Sequence, residues 1–133
     1  MLCIHNTHTD AWFNLAAEEY LLKNFSEDIF MLWQNEPAVV IGKYQNIEYA
    51  RQKRIRLARR YSGGGAVYHD MGNLNLTFIE NSNQIRSSVF TESIIRFLKH
   101  YGLHARSDER QGLTIDGLKI SGSAQAIHKR RML

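Results

Sequence analysis

The chain reads as an α+β domain, a mainly antiparallel or mixed sheet with packed helices, and three observations predict this. Short apolar runs bounded by Gly, Pro and Asn have the pattern of buried strands. Two longer stretches place apolar residues at helical spacing behind a Ser, Thr or Asp cap. Asp116-Gly117 stands between Leu113–Ile115 and Leu118–Ile120, a two-residue hairpin signal.

Met1–Ile4 is expected to be a short strand. Thr9 or Asp10 caps a helix running to about Asn24, with Trp12, Leu15, Ala16 and Leu22 at helical spacing. Ile29–Trp33 reads as a buried strand; Pro37 breaks the chain, and Ala38–Ile41 reads as a second strand ending at Gly42. The two are expected to form a hairpin. Ile47–Arg56 is polar and basic and predicts a surface helix. Leu57–Arg60, Ala66–Tyr68 and Leu74–Ile79 read as strands. In the last, Leu74, Leu76 and Phe78 alternate with Asn75, Thr77 and Ile79, so one face is largely polar near its start. Ser87 or Ser88 caps a helix with the stripe Phe90, Ile94, Phe97, Leu98 and Tyr101, stopped by Gly102. Ser121–Ile127 is expected to extend the strand that follows the hairpin turn.

The composition bounds the function. A chain of 133 residues is enough for one domain with a core. Its 44% apolar and 23% charged residues lie in the range of soluble globular proteins. The net charge of +4 is too modest to specify nucleic acid. The basic runs Lys53, Arg54, Arg56, Arg59, Arg60 and Lys129, Arg130, Arg131 read as solvated surface, with an acidic protein partner as the alternative. A single cysteine, Cys3, forbids an internal disulfide and suits a reducing cytosol. No apolar run reaches the ~18 residues of a membrane span, and no secretory pattern opens the chain, so a cytoplasmic protein is expected.

Chemistry concentrates in Arg59-Arg60-Tyr61-Ser62-Gly63-Gly64-Gly65-Ala66-Val67-Tyr68-His69-Asp70. Three successive glycines are entropically costly, and their usual use is close approach of main-chain N–H groups to an anion. Arg60 can bond phosphate or carboxylate oxygens, and Ser62 adds a hydroxyl. A glycine-rich surface turn is the alternative. The loop is neither a P-loop, lacking Lys-Ser/Thr after the glycines, nor a Rossmann fingerprint, because a strand follows it. Lys119 shares a strand face with Ser121, beside small residues that leave room for a ligand. Taken alone, an exposed strand lysine is the simpler reading. His69 and Asp70 point to opposite faces and cannot orient each other. His5, His8, His100, His104 and His128 show no metal-ligand spacing, so no protein metal site is expected.

Taken together and in this order, three segments resemble the lipoate–protein ligase A family of the biotin/lipoate protein ligase group. They are Leu32-Trp33-Gln34-Asn35 with Val39-Val40-Ile41-Gly42-Lys43-Tyr44-Gln45-Asn46, the glycine loop running on to Asn73, and Asp116-Gly117-Leu118-Lys119-Ile120-Ser121-Gly122-Ser123-Ala124. The resemblance implies a fold like the catalytic domains of class II aminoacyl-tRNA synthetases and biotin protein ligases. It implies that residues 1–133 are a single domain, the N-terminal part of a ligase catalytic domain. It implies ATP-dependent activation of lipoate to lipoyl-AMP, with Mg2+ expected alongside ATP, and transfer to a lysine of lipoyl-domain proteins. Such acceptors are 2-oxoacid dehydrogenase E2 subunits or the glycine cleavage H protein; nucleic acid and membrane are not expected partners.

By motif, Lys119 resembles the lysine needed for chemistry. Arg60, Ser62, Gly63, Gly64, Gly65, Ala66, Val67, Tyr68, Asn73 and Ala124 resemble residues along the acyl-adenylate, and Trp33 and His69 resemble residues of the lipoyl pocket. Two alternatives share the pattern: an ATP-independent octanoyl or lipoyl transferase of the same fold, and a non-catalytic ligase-like binding module. Gln111-Gly112 stands where the family often has Asn-Asp, and Lys43 where arginine is common. The family domain continues past Ala124 into a histidine-glycine segment and further strands. An open sheet edge, exposed apolar surface and weak activity of this chain alone are therefore expected.

Overall fold

The computed structural model describes residues 1–47, 56–81, 87–109 and 112–133. In chain order they form β1 (Leu2–His5), α1 (Ala11–Asn24), β2 (Ile29–Trp33), β3 (Ala38–Ile41), β4 (Leu57–Arg59), β5 (Val67–His69) and β6 (Asn75–Asn81). Then follow α2 (Ser87–His100), β7 (Arg106–Ser107), β8 (Leu113–Ile115), β9 (Leu118–Lys119), β10 (Ile127–His128) and β11 (Arg131–Met132). The expected helix over Ile47–Arg56 falls largely on 48–55, outside the described residues. The chain divides into two compact units, Met1–Asn83 with Gln125–Leu133, and Gln84–Ala124.

The larger unit holds two sheets, one ordered β1-β2-β6-β11-β10 and one ordered β4-β3-β5. Helix α1 starts where the cap requires: Asp10 is extended and accepts a hydrogen bond from the Phe13 amide. The helix packs against β4 and β6, and Trp12 Nε1 donates to the Leu57 carbonyl at 2.8 Å. Leu15, Leu22, Ile29, Met31, Val40, Ala58 and Ile79 build the core, with Leu22 and Ile29 fully excluded from solvent.

Strands β2 and β3 do not form the expected hairpin. β2 pairs with β1 in parallel and β6 antiparallel, whereas β3 pairs with β4 in parallel and β5 antiparallel. Their connection is drawn inward instead of closing as a tight turn. The Glu36 amide donates to the Thr9 carbonyl at 2.8 Å, and buried Asn35 bonds to Asn14 of α1. A strand as apolar as Ile29–Trp33 is also stabilised by neighbours on both edges.

Strand β6 buries its more polar side. Thr77 and Ile79 are excluded from solvent while Leu74 is 59% exposed. Arg131 departs from the solvated reading of its basic run: it is buried on β11 and Nη2 donates to the Glu27 carbonyl. Lys129, in the left-handed region at φ 55°, sits in the turn between β10 and β11.

The smaller unit pairs β7, β8 and β9 as an antiparallel sheet. Asp116 and Gly117 take positive φ (50° and 78°), as the hairpin signal predicts. The expected strand over Ser121–Ile127 is not formed. The pairing runs out just past Lys119, where Ile120 N and Ser121 N both donate to the carbonyl of Leu113, the first residue of β8. Helix α2 ends as read, with Gly102 at φ 78°.

Candidate active site

The glycine loop is held by contacts that leave its amides open. It leaves β4 and packs on the end of β3, where Gly42 has no room for a side chain. A Cβ there would lie 2.0 Å from the Gly64 carbonyl oxygen. The Lys43 amide donates to the Ser62 carbonyl at 2.9 Å, and the Arg60 amide to Ile41 O at 3.0 Å. Ser62 is buried beneath the turn. Gly64 takes φ +100°, where L side chains are strained. Among the described residues, no group accepts from the amides of Gly63, Gly64 or Gly65.

The two arginines before the loop each clip a turn. Arg59 Nη1 lies 2.9 Å from the carbonyls of Gly42, Lys43 and Gln45, closing the turn after β3. Arg60 folds over its own loop: Nε and Nη2 donate to Gly63 O at 3.1 and 2.8 Å, and Nη2 to Gly65 O at 2.9 Å. Its positive charge thus binds the loop carbonyls, while the loop amides have no acceptor among the described residues. The guanidinium expected to bond phosphate or carboxylate oxygens is instead engaged by the loop's own carbonyls.

Trp33, Thr77 and Glu18 form a buried polar chain. Trp33 Nε1 donates to Thr77 Oγ1 at 2.9 Å, and the Thr77 hydroxyl donates to Glu18 Oε1. Glu18 as a residue is half-buried, but desolvation of its carboxyl dominates. It pushes the pKa up to about 7, against the Thr77 bond and the Arg60 charge. His69 stands beside this chain, its ring centroid 6.3 Å from that of Trp33. Burial chiefly, and then the Arg60 charge, hold the His69 pKa below its usual value against the Asp70 charge, and so favour the neutral ring. Arg60, clipped to the loop, is therefore the group that acts electrostatically on both Glu18 and His69.

Other predicted residues sit as follows. Val67 and Tyr68 lie on the edge strand β5 and are 44% and 58% exposed; Ala66 is exposed before them. Asn73 stitches the turn into β6, its Oδ1 accepting from the Asp70 amide at 2.9 Å. Lys119 and exposed Ala124 belong to the smaller unit. There Lys119 Nζ lies 3.5 Å from Asp108 Oδ2. Gly112 makes room for that carboxylate, since a Cβ at 112 would lie 2.6 Å from Asp108 Oδ2. The Gly112 amide donates to Asp108 Oδ1 at 2.7 Å. Gln111 lies outside the described residues. Sequence reading missed Asp108, Glu18, Thr77 and Asn35. The one signal available for Glu18 was its place three residues after Leu15 and four before Leu22, on the apolar side of the helix.

Among the described residues, no group of three or more His, Cys, Asp or Glu side chains could hold a metal ion, and no helix is long and apolar enough to cross a membrane.

The lipoyl protein ligase A/B catalytic domain model matches residues 10–133. The chain is 42% identical over 139 residues to lipoate–protein ligase 1 of Staphylococcus aureus, covering 96% of this chain and 42% of that protein. It is 38% identical over 138 residues to the human mitochondrial lipoyl amidotransferase LIPT1, covering 95% and 37%. It thus spans about two fifths of the length of these relatives. Among solved structures, Plasmodium falciparum LipL1 in complex with lipoate matches with a TM-score of 0.87 at 33% identity, covering 98% of this chain and 45% of that one. Lipoate–protein ligase A bound with ATP matches with a TM-score of 0.86 at 26% identity, covering 98% and 63%. The bi-partite ligase of Thermoplasma acidophilum, described with its E2 lipoyl domain, matches with a TM-score of 0.82 at 28% identity, covering 98% and 58%. The neighbours share the mixed α+β fold, and with the family model matching nearly its whole length the chain belongs to the lipoyl protein ligase A/B catalytic domain family.

Proposed function

We propose that this chain is the lipoate- and nucleotide-binding part of a lipoate–protein ligase catalytic domain. The observation that carries the proposal is the glycine loop, whose amides are open while Arg60 and Gly42 hold its carbonyl side. Open main-chain donors at a rigid turn suit the oxygens of an acyl-adenylate. Trp33, which lines a cleft with Leu32, Met71 and Leu74, offers apolar surface that suits the acyl chain. In this reading the lipoate carboxylate attacks the α-phosphorus of ATP. An acyl O–P bond forms, the bond to the leaving phosphate breaks, and pyrophosphate departs. A lysine amine of a lipoyl domain then attacks the acyl carbon, AMP leaves with the bonding pair, and the amine loses a proton. By its motif, Lys119, whose Nζ lies 3.5 Å from Asp108 Oδ2, is the residue proposed to offset negative charge developing in the reaction. Magnesium would be held chiefly by the nucleotide phosphates, whose charge it would screen, since no carboxylate cluster among the described residues could hold it alone. Lipoate and ATP appear with neighbouring ligases, and an E2 lipoyl domain with another, which supports these ligand and acceptor classes.

The second reading is an ATP-independent lipoyl transferase, favoured by the likeness to LIPT1. The donor decides between them. The chain is given free lipoate with α-labelled ATP in one reaction. In a second, a lipoylated domain is the donor and no nucleotide is present. Labelled lipoyl-AMP and pyrophosphate in the first support ligation. Transfer in the second alone supports the transferase. Neither reaction, with lipoate still bound, leaves a binding module.

A further inference from the structure

The residues behind His69 determine which of its ring nitrogens carries the proton. His69 Nδ1 lies 3.0 Å from Asn35 Nδ2, and the direction of that bond follows from backbone groups that have only one role. The His8 amide can only donate, so the Asn6 atom 3.1 Å away is Oδ1, and Asn6 presents Nδ2 to Asn14 Oδ1 at 2.7 Å. The carbonyls of His8 and Gln34 can only accept, and each lies 2.9 Å from Asn14 Nδ2. Both approaches give Asn14 the same orientation. Asn14 Nδ2 has two hydrogens for three neighbours, so one is shared; because an amide nitrogen accepts nothing, the Asn35 atom 2.9 Å away is the acceptor Oδ1 and not a second NH2 group. Asn35 Nδ2 is then the atom facing His69, and it donates. Asn14 and Asn35 are both fully buried, so no solvent competes for these bonds.

We infer that Asn14 and Asn35 are positioning residues that hold His69 as the neutral Nε2–H tautomer, aiming one hydrogen-bond donor at an acceptor oxygen of the bound acyl ligand. Nδ1 is occupied as an acceptor, so the single ring proton of neutral His69 resides on Nε2. Among the described residues no group accepts from Nε2. A proton on Nδ1 would face the Asn35 N–H group, so the relay also opposes the imidazolium. Burial and the Arg60 charge act in the same direction, with Asp70 opposing. The identity of the ligand rests on the lipoate-binding reading; the tautomer does not.

The test is therefore in two parts. Long-range proton–nitrogen correlation spectra of the ligand-free chain read the tautomer directly. The expected spectrum has a pyridine-like Nδ1 and a pyrrole-like Nε2 for His69, and the opposite pattern overturns the inference whatever the ligand proves to be. Asn35→Asp keeps the shape but presents only acceptors. It is expected to move the proton to Nδ1 and raise the pH at which the ring titrates; an unchanged tautomer refutes the relay. Should that variant not fold, the wild-type spectrum still decides. For donation to the ligand, lipoic acid is titrated into His69→Gln and His69→Asn, whose amide nitrogens approximate Nε2 and Nδ1 respectively. Gln is expected to retain affinity within a few-fold and Asn to lose about tenfold. Equal affinities refute a donor at Nε2, while failure of both variants and wild type to bind lipoic acid refutes the ligand assignment alone.

Discussion

Replacing Gly42 with alanine tests whether the glycine loop is a rigid, preformed cradle. The new methyl carbon would sit 2.0 Å from Gly64 O, 2.9 Å from Gly64 C and 3.1 Å from Gly64 N. Real Cβ atoms stay beyond about 3.0 Å, so the loop must retreat by at least about 1 Å. The neighbours are backbone and cannot swing aside as a side chain would. Retreat strains the bonds from Lys43 N to Ser62 O and from Arg60 N to Ile41 O. Overpacking costs about 1–3 kcal/mol, and each weakened backbone bond adds about 1 kcal/mol. The expected loss is about 3–5 kcal/mol, a large share of a domain's ~5–15 kcal/mol. At about 4 °C per kcal/mol for a chain of this size, melting should fall by roughly 10–20 °C. Gly65→Ala is the control, because nothing lies within 4 Å of a Cβ there; it should melt within about 2 °C of the parent. Thermal unfolding followed by circular dichroism reads both. A Gly42→Ala chain melting within about 3 °C of the parent would show that the loop yields freely, and the preformed cradle would be refuted.

Three further outcomes are expected. Thr77→Val strands both the Trp33 indole N–H and the Glu18 carboxyl, at about 2–4 kcal/mol in urea unfolding, while Thr77→Ser restores most of it; equal losses in the two variants would remove Thr77 as the link. Glu18 titrates near 7 in the folded chain against 4.5 ordinarily, so the unfolded state releases its proton first as pH rises. Stability should therefore fall between about pH 4.5 and 7, by at most ~3 kcal/mol relative to Glu18→Gln, and stay level above that; parallel pH curves for the two chains would refute the raised pKa. Lys119→Ala should abolish lipoyl-AMP formation yet shift melting by no more than about 2 °C, because its ion pair with Asp108 is largely solvated; retained activity would remove Lys119 from the chemistry.

Much of the fold was legible because local signals were strong. The Asp10 cap, the Ile29–Trp33 and Ala38–Ile41 runs, the Gly102 stop and the Asp116-Gly117 turn all stand where their residues placed them. Pairing was less legible. Adjacent strands β2 and β3 enter different sheets because buried Asn35 ties their connection to α1, a contact 21 residues apart in the chain. The face of β6 was also hidden, since hydropathy marks Leu74 and Leu76 while the fold buries Thr77 for its bond to Trp33.

By itself the sequence determined the parts: the family, the α+β element order and the glycine loop, because caps, turns and three ordered motifs depend on neighbours along the chain. Only the tertiary structure decided what those parts do to one another. It turned Arg60 onto its own loop, joined Glu18 to Trp33 through Thr77, and set Asn14 and Asn35 behind His69. Each is a hydrogen bond in a dry interior, and its donor and acceptor are chosen by groups far apart in sequence, so no local pattern of residues encodes it.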